Sequence, residues 1–429
     1  MVNASSLMTA DGRRVAVLFP GRESSGSGPD FRDAIVRIGD SGRLRGDVEV
    51  HVRSRDWQAH GHDRDREYNG VILHVVMWDS GAGFSVLQNG RRVPVLALHP
   101  HVTAPLEDLS SLHQRAFAPN DACCSAAERH GTDDVIARLG AAGDERFRMK
   151  TSTCVSRLDA EGPEEVLYRG IMRGLGYEKN TGPMEELASR LPLNMVREIS
   201  GLDPRRLGAL MLGVAGLLPS LRFGGLENIP QGWGDTETAR MEKAWADYGI
   251  ADRMEAAAWR LSGIRPENLP ARRIVAAGFI LSRCGGAPGR WAVRVARSET
   301  LGRAQLDLEH GLTVKVTGYW ARHYDFGIAS RVAVGLVGRY RAREIIVNAV
   351  LPWLAAVAGR YSVPWLERRS WEAYAAHPPL QQNWITKYLA RKALGSAEAA
   401  GLSARHQQGL IHIHRTYCIE RRCGQCPLG

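Results

Sequence analysis

Two carboxylates and a histidine stand in one N-terminal stretch, "GPDFRDAIVRIGDSGRLRGDVEVHV", at a spacing that could bring them onto a single metal ion. Asp30 precedes the run "FRDAIVRI", and Glu49 and His51 lie on the next run, "GDVEVHV", after a Gly-containing turn. Both runs carry the β-branched residues of strands, and a hairpin would set Asp30 beside Glu49. Side chains alternate faces along a strand, so Asp47, Glu49, His51 and Arg53 share one face and Val48, Val50 and Val52 the other. A solvated strand face gives that alternation, and so does a metal site. Carboxylate oxygens suit Mg or Mn. Such an ion polarises a phosphoryl oxygen and activates water near neutral pH. Asp30 and Glu49 are the leading ligand candidates, with Asp47 of second rank, and His51 is a candidate catalytic group beside them.

The next segment, "DWQAHGHDRDREYNGVILHVV", adds His60 and His62 two residues apart in a Gly-containing loop, a spacing suited to metal ligation or phosphate contact. His74 is flanked by Val and Leu, so it is expected in the core. Arg43, Arg45, Arg53, Arg55, Arg64 and Arg66 surround these acids and histidines in sequence. Their planar guanidinium groups suit phosphate recognition, although solvated turn arginines would give the same pattern. At the far end, "YCIERRCGQCPLG" spaces Cys418, Cys423 and Cys426 as C-x4-C-x2-C, close enough in sequence for the thiolates to share zinc or an iron–sulfur ([4Fe-4S]) cluster. The fourth ligand is open between Cys284, Cys123, Cys124, His412 and His414.

The elements that must position these groups fall into two textures. Short β-rich runs fill roughly the first hundred residues, and helical spacing dominates afterwards. The expected fold class is α+β, mixed: an N-terminal mixed α/β module over residues 1–110, then helical regions over 111–240 and 241–429, the last ending in the Cys cluster. The chain has 429 residues, enough for two or three domains. Its formal net charge of +10 favours a polyanionic partner such as nucleic acid, with a protein partner also open. "LGALMLGVAGLL" and "IIVNAVLPWLAAVAG" are too short for a clear membrane span and are expected as buried core helices, with no membrane partner. The N-terminus lacks an apolar leader core, and seven Cys is an odd count. Both fit a cytoplasmic protein. "IRPENLPARR" and "GYWARHYDFG" mix basic and aromatic residues that could grip a single strand, but caps and buried networks fit them better.

The Pro29-Asp30 pair and the Glu49-Val50-His51 triplet resemble the PD-(D/E)XK nuclease superfamily, whose signature is Pro-Asp, a spacer, then an acid, any residue and Lys. The resemblance implies Asp30 and Glu49 as metal ligands, with His51 where the lysine normally stands. It also implies a metal-dependent nuclease acting on DNA or RNA. The alternative is a catalytically degenerate protein that binds nucleic acid or serves assembly. Some superfamily members carry a [4Fe-4S] staple built from one distant Cys and three near the C-terminus. Across most of the chain, "GPDFRDA", "GDVEVHV", "LYRGIMRGLGYEKN", "RPENLPARRI", "YWARHYDFG", "GRYRAREIIVNAVLPWL" and the Cys tail resemble a bacterial family known as domain-of-unknown-function family 2851.

Overall fold

The computed structural model describes residues 7–19, 22–23, 28–40, 42–81, 83–101, 126–261, 264–395, 401–419 and 422–429. Cys123 and Cys124 lie outside the described residues. The chain divides into two compact units, Met1–Asn120 and Asp121–Gly429.

The first unit is a seven-stranded mixed sheet. Its strands are β1 (Val15–Phe19), β2 (Arg22–Glu23), β3 (Phe31–Ile38), β4 (Leu44–Arg53), β5 (Val71–Trp78), β6 (Phe84–Val86) and β7 (Arg92–Ala97). The order across the sheet is β1-β3-β4-β5-β7-β6, with β2 beside β3. The hairpin expected between "FRDAIVRI" and "GDVEVHV" is the antiparallel β3–β4 pair, while β4–β5 and β5–β7 run parallel. Parallel strands need a crossover. Between β4 and β5 it consists of the four-residue helix α1 (Asp56–Ala59) and a 3₁₀ turn over Arg66–Gly70.

Strand parity divides the sheet into two faces. Val48 lies opposite Leu73, and with Ala34, Val36, Ile38 and Leu96 it forms an apolar core. The other parity carries Glu49 opposite His74 and His51 opposite Val76. The polar face is covered at Glu49, which is 5% exposed, whereas Val50 and Val52 at the far end of the apolar face are exposed. The crossover lies over the polar face, with Trp57 and Tyr68 buried in a second small core with Val71, Leu87 and Val93.

Two irregularities shape the entrance to β4. The β3–β4 register shifts between Phe31 and Ala34, where Asp33 takes a left-handed φ of 58°, and the β4–β5 register shifts at Asp47. Gly46 sits where β5 approaches most closely. A Cβ there would lie 2.4 Å from Ile72 Cγ2 and 2.7 Å from the Gly70 carbonyl oxygen. Backbone cannot yield as a side chain can, so Gly46→Ala should cost about 1–3 kcal/mol by overpacking, read as a lowered unfolding midpoint in urea.

The second unit is mostly helical around one large apolar core. The two long apolar helical stretches, Pro204–Phe223 and Arg339–Arg360, meet the length and composition needed to cross a membrane and are 72% and 67% buried inside the protein. The expected boundary at 240 falls inside a helix, Thr236–Ala246. The Arg-rich blocks serve buried networks. Arg272 donates to the carbonyls of Trp320, His323, Val334 and Gly335, and Arg273 to Leu336, Tyr177 and Asn268. Arg222 holds Asp325 through two bonds of 2.8 and 3.0 Å.

His377 offers a pH handle on this unit. It is 1% exposed, its Nδ1 lies 2.9 Å from the Pro378 carbonyl oxygen, and burial pushes its pKa down from 6.5 to about 4. Between those values the unfolded chain binds a proton that the folded one refuses. Stability should therefore be full above pH 6.5, fall through the window, and level off below about 4. The loss from this site should be about 3 kcal/mol. Urea unfolding followed across that range should show a shallower decline in His377→Asn.

Candidate metal centre

The loop after β4 folds back over the strand that precedes it. Asp56 accepts from the backbone N–H of Arg53 (2.9 Å), which ties α1 to the end of β4. The N–H of His60 closes α1 on Asp56, and the N–H of His62 bonds the Trp57 carbonyl at 3.0 Å. Gly61 takes φ 75° between them, a left-handed value that glycine adopts without strain. Asp65 then caps the 3₁₀ turn by accepting from Glu67 N–H (2.9 Å). This short path returns His60 and His62 to His51.

Among the described residues, His51, His60 and His62 form one group whose ligand atoms all lie within 4.8 Å of one another. His51 Nε2 is 3.0 Å from His60 Nδ1. Ligands about 2.0–2.1 Å from a tetrahedral ion stand about 3.3 Å apart, so this edge is close to a shared-ion geometry. Glu49 adjoins the group, with Oε1 3.4 Å from His62 Nε2 and 3.7 Å from His51 Nε2. Its other oxygen, Oε2, accepts from the Asp30 N–H at 2.9 Å, which fixes the carboxylate's direction.

The ring of His51 is held from behind. Its Nδ1 lies 2.9 Å from His74 Nε2, and His74 Nδ1 lies 2.7 Å from Ser85 Oγ. Leaving His51 Nε2 a lone pair for a metal requires Nδ1–H to donate to His74, and His74 Nδ1–H to donate to Ser85. Every bond in that chain is then satisfied, the support that metal-bound histidines ordinarily receive. Burial pushes His51 down to about 4 and His74 to about 3, so both rings are neutral at pH 7, the form that ligates metal. Tyr68 stacks on His62 with centroids 3.8 Å apart, and Trp57 lies edge-on to it at 5.4 Å. These rings wall the site with apolar surface.

The carboxylates expected as the principal ligands are used differently. Asp30 sits next to Glu49 as its spacing predicted, but its Oδ2 accepts from the Val50 N–H at 3.0 Å, extending the β3–β4 ladder by one bond. Asp47 Oδ1 accepts from Asp33 N–H (3.2 Å), and its Oδ2 lies over Gly70, where a Cβ would come within 2.6 Å. Both acids brace the bulged start of the hairpin, and neither joins the three-histidine group. His74 is fully buried, as its apolar neighbours predicted, and its link to His51 makes it a positioning residue. Trp57 and Ser85 escaped the sequence reading. A Trp three residues before His60 carries a weak signal, whereas Ser85 in the short run "FSV" carries none.

Arg53, Arg55, Arg64 and Arg66 are exposed, and Arg45 pairs with Asp33 at 2.8 Å. The N-terminal unit thus carries a histidine group graded from buried His62 and His74 through half-buried His51 to exposed His60, together with an exposed set of guanidinium groups.

Residues 1–382 match the family described as Protein of unknown function (DUF2851). The chain belongs to the DUF2851 family. No curated protein and no solved structure matches it. The match includes the whole histidine site of this DUF2851 chain and ends before the cysteine tail.

Cys418 closes a π-helical turn over His414–Cys418, and Cys423 opens a 3₁₀ turn over Cys423–Gln425. Burial, then Cys426 and Cys423, push the Cys418 thiol up to about 11, and burial raises Cys426. The three thiols therefore feel one another, although they are not drawn together as tightly as the histidines. Cys284 lies elsewhere in the core, at the end of the helix Pro270–Arg283, where Glu164, Arg294 and Arg283 act on its thiol. Burial, and then the charge of Arg146, lower the pKa of His412. The chain end is fixed by protein contacts: Arg138 and Arg129 donate to the Pro427 and Leu428 carbonyls (2.7 and 3.1 Å), and Leu428 is fully buried.

Proposed function

We propose that this DUF2851 chain is a metal-dependent phosphodiester hydrolase acting on nucleic acid, with His51, His60 and His62 as ligands to one divalent transition metal. The observation that carries the reading is the convergence of three imidazoles, with ligand atoms within 4.8 Å, beside the oriented Glu49. The donor set bears on the metal. Mg and the harder ions want oxygen, while imidazole suits zinc and its neighbours, with Mn at the oxygen-preferring end. Zinc is therefore favoured over Mg, because the three convergent donors are imidazoles, while Asp30 and Asp47 each hold one oxygen on a backbone N–H and stand outside that group.

An ion held there would supply Lewis-acid charge for a phosphoryl oxygen and for the activation of water. Glu49 Oε1 faces the same point and is placed to take a proton from that water. Its Oε2 stays fixed on Asp30 N–H, so the carboxylate does not need to reorganise. His74 and Ser85 hold the imidazole of His51 in one tautomer and one orientation. The exposed arginines offer charge-assisted hydrogen bonds to a phosphate backbone. This reading keeps the resemblance to PD-(D/E)XK nucleases. An antiparallel β1-β3-β4 set is followed by a parallel crossover, with Pro29-Asp30 just before β3 and Glu49-Val50-His51 on the neighbouring β4. His51 at the lysine's place becomes a ligand in place of a cation. The cysteines form a separate structural zinc or iron–sulfur site.

The test is a matrix. Chelator-treated protein is reloaded with Zn, Mn or Mg and offered single-stranded DNA, duplex DNA and RNA. Zn or Mn should restore cutting of at least one substrate. No cutting by any combination, with zinc bound at one equivalent to the histidines, would leave a binding protein in its place.

A further inference from the structure

A second polar cluster lies in the helical unit, where two π-helical turns flank one long helix. π-turns are rare and occur disproportionately at functional sites. One covers Ile346–Val350 and includes Asn348, and the other covers His414–Cys418 and includes Arg415. The long helix, Thr132–Glu161, carries Arg146 and Lys150 one turn apart on the same face. It packs against the helix Ala404–Ile413, which contributes Gln408.

The contacts are all between cations and neutral oxygens. Arg146 Nε donates to Gln408 Oε1 at 2.9 Å, and Lys150 Nζ donates to the same oxygen at 2.7 Å. Lys150 also donates to Asn348 Oδ1, whose amide orientation is fixed by its NH₂ donating to the Glu344 carbonyl at 2.7 Å. Gln408 is 2% exposed, so its oxygen is a buried acceptor shared by two positive charges. Among the described residues, no Asp or Glu lies within ion-pair distance of Arg146, Lys150 or Arg415. Glu344 acts on Lys150 from beyond that distance and is itself paired with Arg341 at 2.8 Å. Arg415 is exposed.

An amide oxygen solvates a cation but does not neutralise it. Burial first, and mutual repulsion after it, disfavour these charges. Lys150 lies well below its usual range through burial and then the charges of Arg146 and Arg415, and Arg146 falls to about 10 through burial and then Arg415. Helix packing alone does not require three cations here, since a Leu or Met at position 150 would fill the same helix face. A bound oxyanion would remove the repulsion and satisfy several N–H donors together.

We propose that Arg146, Lys150 and Arg415 form an oxyanion site that takes the phosphate group of a phosphorylated ligand, with Gln408 and Asn348 holding the lysine in place. This inference is independent of the histidine centre and stands if that centre proves inactive.

The intact chain is titrated with inorganic phosphate at constant ionic strength in a chloride background, by calorimetry. In parallel, lysines are acylated with acetic anhydride and read by peptide mass spectrometry, the other lysines serving as internal controls. Phosphate should bind saturably and slow acylation of Lys150 selectively. Arg415→Ala, at an exposed position, and Lys150→Met should each weaken binding by about tenfold or more. A 5′-phosphorylated dinucleotide that displaces phosphate, where its dephosphorylated form does not, identifies a nucleotide source; displacement by neither identifies free phosphate. Absence of saturable binding, or binding unchanged in both variants, overturns the proposal.

Discussion

Replacing Glu49 with glutamine should lower the rate of phosphodiester hydrolysis by about 10²- to 10⁴-fold, the usual contribution of a positioned general base. Glutamine keeps the shape of the side chain and can still accept from the Asp30 N–H, so the hairpin should remain intact. What it loses is the ability to take a proton at the point 3.4 Å from His62 Nε2 and 3.7 Å from His51 Nε2. Metal content should therefore be unchanged while turnover collapses. Steady-state rates on the substrate cut by the wild type, paired with metal analysis of the same preparations, separate the two quantities. Wild-type turnover in Glu49→Gln would remove Glu49 from the mechanism.

His51→Ala should have the opposite signature, losing the metal first. The alanine removes one of three imidazole donors and also breaks the chain through His74 to Ser85. Losing a supporting partner alone costs about 10- to 100-fold in metal affinity. That range sets the expectation for Ser85→Ala, and His51→Ala should exceed it. Competition with a chromophoric chelator measures both. Cys418→Ser provides the contrast, because it should leave the histidine-bound ion in place. If His51→Ala retains all its zinc and Cys418→Ser loses it, the metal belongs to the tail and the histidine centre is a hydrogen-bonded core. The His62 ring would then be held by stacking on Tyr68 at 3.8 Å, by Trp57 and by the Glu49 carboxylate.

The two expectations differ because the acids and the imidazoles do different work. Backbone N–H groups occupy one oxygen each of Asp30, Asp47 and Glu49, and an oxygen that satisfies a backbone donor is costly to withdraw for a metal. The imidazoles have no such commitment. Each has one ring nitrogen that can be supported and one that can be offered, and in His51 both nitrogens are placed in that way.

The sequence determined the broad layout of this protein. β-rich runs over roughly the first hundred residues and helical spacing from about residue 110 set a mixed sheet ahead of a helical body. The turn between "FRDAIVRI" and "GDVEVHV" set the β3–β4 hairpin, and with it the proximity of Asp30 to Glu49, because both depend on local pattern and short loop closure. Apolar flanks were enough to bury His74. Tertiary structure alone decided which polar residues meet. Whether the alternating face of β4 was wet or covered depended on where the α1 crossover came to rest. That in turn depended on Trp57 and Tyr68 packing into a core with Leu87 and Val93, which are distant in sequence. Parity placed Asp47 beside Glu49 and His51 on one face, but the bulges at Asp33 and Asp47 turned Asp47 toward Gly70. Strand periodicity counts residues and cannot register an inserted one. The link from His74 to Ser85 required the β5–β7–β6 pairing, a contact between strands that no local spacing encodes.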